Sequence, residues 1–125
     1  MISENEVLMK EQLLERIGIL LQAEMIDKTV AEFCENAIDS ILEFNPSADE
    51  EKFGMLITHL AMGTQRLIKN HEEAPVDHAV LDGVKQEPCF LEAARLADFI
   101  IQKSPIPFTK TESDFLKIHL CNLMT

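Results

Sequence analysis

The chain has 125 residues, the size of one domain, and 46% of them are hydrophobic, with seven Phe and neither Trp nor Tyr. Eleven basic against 22 acidic residues give a formal net charge of −11, which repels phosphate backbones and anionic lipid and so argues against direct binding of nucleic acid or membrane. Three cysteines without a CxxC, a charged start (MISENEVLMKEQ) without an apolar leader core, and no apolar run of spanning length point to a cytoplasmic protein in a reducing compartment.

Only four Gly and five Pro interrupt a chain rich in Leu, Ile, Glu and Ala, which favours helices. The first helix is expected from Asn5 to Met25, opened by a capping box in Ser3-Glu4-Asn5-Glu6, with Leu13, Leu14, Ile17, Leu20 and Leu21 as its apolar stripe. The second runs from about Asp27 to Phe44, with Val30, Phe33, Cys34, Ala37, Ile38, Ile41 and Leu42 at helical spacing, and Asn45-Pro46-Ser47 ends it. Ser47-Ala48-Asp49-Glu50 offers a capping box for a third helix reaching about Asn70, whose stripe is Phe53, Leu56, Ile57, Leu60, Thr64 and Leu67. Pro75 opens a short fourth helix that Glu87-Pro88 stops. A fifth, from about Cys89 to Lys103, turns Phe90, Ala94, Ala97, Ile100 and Ile101 inward. After the stiff connector Ser104-Pro105-Ile106-Pro107, Thr109-Lys110-Thr111-Glu112 caps a last helix ending near Met124. No segment alternates as a strand would, and no repeat or long linker divides the chain. The expectation is one all-α domain over residues 1–125, a compact bundle of five to six antiparallel helices.

Two histidines stand out. On the third helix His59 lies off the core stripe, on a face shared with Met55, Met62, Gly63 and Arg66; seven residues put Arg66 ~10 Å along the axis, with Gly63 leaving room for close approach. On the last helix His119 shares a face with Glu112, Phe115, Asn122 and Leu123. Taken locally, each is first of all an ordinary boundary or core histidine, and Glu112 is the capping glutamate of Thr109. His71 and His78 lie in NHEEAPVDH, which is not HExxH, and a solvated connector is the reading it supports better than a metal site. No phosphate-binding Gly-rich loop and no GxSxG occurs, so neither enzyme nor cofactor is indicated.

The ordered pair of segments FGMLITHLAMGTQRL and IPFTKTESDFLKIHLCNL resembles the PTS regulation domain (PRD) family. His59, Leu60 and Arg66 match its first signature; Pro107, Glu112, His119, Leu120 and Asn122 match its second, and FLEAARLADFII matches the aliphatic helix between them. The resemblance covers the chain from about residue 10 and is strongest over 50–125. It implies an all-α regulatory domain, normally a dimer, of sugar-linked transcriptional antiterminators and activators. Its histidines are phosphorylated by the histidine phosphocarrier protein or a sugar-specific phosphotransferase component. His59 and His119 match the phosphoacceptor positions, with Arg66, Glu112 and Asn122 as supporting or phosphate-contacting residues. Thr58 stands where the family often has an acidic residue. The length leaves room for one such domain and no effector, so a stand-alone domain is expected, acting as a homodimer or through a full-length PRD regulator. Two other readings stay open: an interaction module whose histidines take no phosphate, and, less favoured, a small metalloprotein ligated by His59 and His119.

Overall fold

The computed structural model describes residues 3–71 and 74–125, and among them the regular elements are six helices. They are α1 (Glu4–Gln22), α2 (Lys28–Phe44), α3 (Glu50–Ile68), α4 (His78–Lys85), α5 (Phe90–Ile101) and α6 (Lys110–Met124). The all-α expectation is met.

Side-chain caps set most of the starts. Ser3 Oγ accepts from the Glu6 amide, Asp27 Oδ1 from Val30, and Thr109 Oγ1 from Glu112, each satisfying an amide that the helix leaves without a partner. Two starts differ from expectation. The cap of α3 is Asp49, not Ser47, since its carboxylate takes the amides of Glu51 and Lys52. The cap of α4 is Asp77, which holds the Ala79 amide at 2.8 Å, so α4 begins at His78 and not at Pro75. In both cases the carboxylate stands directly before the first helical turn, where it takes the free amides. Glu24 and Asn70 follow α1 and α3 with φ of 59° and 61°, the left-handed turn that ends a helix.

The core is one apolar cluster shared by all the long helices, with α3 packed against α1, α2 and α6, and α6 packed also against α5 and α4. Every stripe residue expected on α2 and α3 is buried, including Thr64, whose hydroxyl donates to the Leu60 carbonyl at 2.7 Å. On α1 only Leu13 and Ile17 of the expected stripe are fully buried, and Leu21 is exposed. On α5 the buried face is Ala93, Leu96, Ala97 and Ile100, rotated from the expected one because apolar residues cover most of the surface of this short helix. Gln65 is a buried polar joint: its Oε1 accepts from the Asp27 amide at 2.8 Å, tying the start of α2 to α3.

Candidate functional site

The second half of α3 and the first three turns of α6 face each other, and the two singled-out histidines meet there. The ring centroids of His59 and His119 are 4.7 Å apart, and Phe115, one turn before His119 on α6, lies 5.0 Å from His59. Glu112 stands between the residues of α3: its Oε1 is 3.5 Å from His59 Nε2, and its Oε2 is 3.8 Å from Arg66 Nη2. The seven-residue step from His59 to Arg66 is therefore spanned by a carboxylate from another helix.

Gly63 makes this possible. A Cβ at that position would lie 2.5 Å from Glu112 Oε1, inside any allowed contact. The absent side chain lets the carboxylate, only 3% exposed, lie against α3. Glu112 does not close the capping box; only its amide joins Thr109, and its side chain belongs to the cluster. His59 and Arg66 keep partial contact with solvent, with side chains 21% and 31% exposed, while His59 Nε2, Arg66 Nη2 and Glu112 Oε2, which face one another, are buried.

Burial, and after it the charge of His59, pushes His119 down to about 4, so its imidazole is neutral at pH 7. A folded-state value below the unfolded one means that the unfolded chain binds the proton first on acidification. Stability from this group is therefore full above about pH 6.5 and is lost as pH falls toward 4, by about 1–2 kcal/mol after allowing for its partial exposure. Urea unfolding between pH 4 and 7 checks it: the wild-type slope in this window is expected to flatten in His119→Asn. An unchanged slope would place the titration elsewhere.

Of the five site residues expected, four converge here: His59, Arg66, Glu112 and His119. Asn122 does not join them among the described residues; it is exposed, and its backbone carbonyl accepts from Lys52 Nζ at 3.3 Å. Thr58 has its own partner, which sequence did not indicate. Arg16 of α1 lies over Gly54 and donates to Thr58 Oγ1 at 3.1 Å, while that hydroxyl donates to the Gly54 carbonyl. Gly54 and Thr58, one turn apart, leave a shallow track on α3 in which the Arg16 guanidinium lies. His71 and His78 are exposed, and Glu72 and Glu73 lie outside the described residues. Among the described residues no group of three His, Cys, Asp or Glu is arranged to hold a metal ion. Nor is any helix among them long and apolar enough to cross a membrane.

The family of PRD domains matches residues 32–123, about three quarters of the chain. With six helices and this cluster between α3 and α6, the chain belongs to that family of helical regulatory domains connected with the sugar phosphotransferase system. No curated protein and no solved structure matches it.

Proposed function

We propose that the chain is a phosphorylation-controlled regulatory domain, with His59 and His119 as its phosphoacceptors. The observation that carries this reading is the close approach of the two tilted imidazole rings, their centroids 4.7 Å apart, beside an arginine and a carboxylate. A ring-nitrogen lone pair attacks the phosphorus of a donor phosphohistidine. The donor's N–P bond breaks, and its imidazole leaves with the electron pair. Such a transfer asks the protein for positioning and charge, not for covalent chemistry. Arg66 supplies the charge. At rest it faces Glu112; the arriving phosphoryl group, with about two negative charges, displaces the carboxylate as its partner. Because the rings are so close, a phosphoryl group on one histidine occupies the space of a second, and each domain takes one at a time. Its arrival repels Glu112 and drives α6 from its resting place on α3, which is the switch.

The donor is the histidine phosphocarrier protein or a sugar-specific phosphotransferase component, and the output passes through a homodimer or a full-length PRD regulator. Apolar Leu91 and Phe99, exposed on α5, support such a contact. Formal charge of −11 supports a protein partner over nucleic acid as its target. Incubation with phosphoenolpyruvate, the general phosphotransferase enzyme and the phosphocarrier is expected to add one acid-labile phosphoryl group, read by intact mass. Either His59→Ala or His119→Ala alone is expected to keep the gain and the double variant to abolish it, and light scattering before and after reports the change of assembly. Failure with the phosphocarrier and with every sugar-specific component would leave an interaction module that takes no phosphate.

A further inference from the structure

We propose that Cys89 and Cys121 are a dithiol site that closes reversibly to a disulfide by exchange with a low-molecular-weight disulfide of the glutathione class. The inference is independent of histidine phosphorylation. Cys89 sits at the start of α5, partly exposed, and Cys121 lies buried on α6; their sulfur atoms are 3.0 Å apart. That is about 1 Å from bonding distance, so closure needs only a small approach of two helices that already pack together. Cys89 Sγ also lies 3.7 Å from the Cys121 carbonyl, which fixes it over the last turns of α6. Cys34 takes no part, because it is wholly buried on α2 in the core.

Exposure sets the order of events. The Cys89 thiolate attacks one sulfur of the small disulfide, the S–S bond breaks, and one small thiolate leaves. Cys121 then loses its proton to water and attacks the Cys89 sulfur, expelling the second small thiolate. Two protein thiols are oxidised by two electrons and release two protons, and the small disulfide is reduced to two thiols. Burial pushes the Cys121 thiol up to about 12, and hydrogen bonding to Cys89 and its charge add to this. Cys121 is therefore the second reactant, and the contributions from Cys89 vanish once that sulfur is capped. A reducing compartment is no obstacle, since reversible cytosolic disulfides are of the regulatory kind. The product staples the start of α5 to the end of α6, two residues beyond His119.

The test uses the reduced full chain in mixtures of reduced and oxidised glutathione, followed by acid quench, alkylation, intact mass and tryptic mapping. The expected product is lighter by about 2 Da, carries no glutathione, and links residues 86–95 to residues 118–125. Cys34→Ala is expected to form it unchanged. Cys121→Ala is expected to stop at one glutathione on Cys89, and Cys89→Ser to stay fully reduced; if Cys121→Ala fails to fold, Cys89→Ser decides alone. A full-length chain that remains reduced, keeps glutathione on Cys89, or links through Cys34 would overturn the proposal.

Discussion

Gly63→Ala is expected to destabilise the fold by about 1–3 kcal/mol, although alanine is intrinsically the better helix former by about 1 kcal/mol. Two effects of opposite sign compete here. The gain in helix propensity is offset by a methyl group placed 2.5 Å from Glu112 Oε1. The glutamate tip is flexible in principle, but here it is 3% exposed and placed between His59 and Arg66. Withdrawing it takes a buried carboxylate away from its cation, which costs more than the helix gains. Gly18→Ala is the matched control. A Cβ there meets nothing within 4 Å, so that change is expected to stabilise by about 0.5–1 kcal/mol. Urea denaturation of both gives the comparison. The Gly63→Ala/Glu112→Ala double variant is expected to show a favourable coupling of at least about 1 kcal/mol, because removing the carboxylate makes room for the methyl group. Equal behaviour of the two glycines would mean that Glu112 does not lie against α3.

Phe53→Ala is expected to cost about 3–5 kcal/mol, a large share of the stability of a domain this size. Phe53 is the largest wholly buried side chain, 0% exposed, and lies in the first turn of α3 at the head of its stripe. Truncation loses the transfer energy of the ring and leaves a cavity that helices on three sides cannot fill. Met55, two residues on, points outward at 58% exposure, and Met55→Ala is expected to change stability by less than about 0.5 kcal/mol. The midpoint of unfolding, with an unchanged slope, is the measurement. A loss below about 1.5 kcal/mol for Phe53→Ala would mean that the face of α3 is misassigned.

Those two positions mark where sequence was legible and where it was not. The α3 stripe could be read at 100° per residue, and all six of its residues are buried. The α5 stripe was rotated, because a short helix with apolar residues on most of its surface leaves periodicity little to choose between. Helix starts were legible as clusters of Ser, Thr and Asp, but which of two neighbouring capping residues takes the amide is settled by backbone geometry, as at Ser47 and Asp49. In the site, His59, Gly63 and Arg66 share one helix and could be placed on one face. Glu112 could be placed near His119, but its passage between His59 and Arg66 depends on how α6 docks. Asn122 went astray for a geometric reason. It lies about 60° from His119 on the side away from buried Leu116 and Leu120, and so turns to solvent. Arg16 and the Cys89–Cys121 pair join residues 42 and 32 positions apart, a separation at which a single sequence carries no signal.

The contact from Lys52 to the Asn122 carbonyl gives the bundle a mechanical asymmetry. Helix α6 is clasped to α3 at two places: near its start by Glu112 against His59 and Arg66, and near its end by Lys52. The two clasps lie at opposite ends of α3, so the helices run antiparallel. A slide of α6 by one turn would break both at once. A change of charge at the histidines reaches the first and leaves the second intact. If charge at the histidines displaces α6, the expected motion is a swing of its Glu112 end about the contact with Lys52. The loop carrying Pro105 and Pro107, joined to the moving end, would travel furthest.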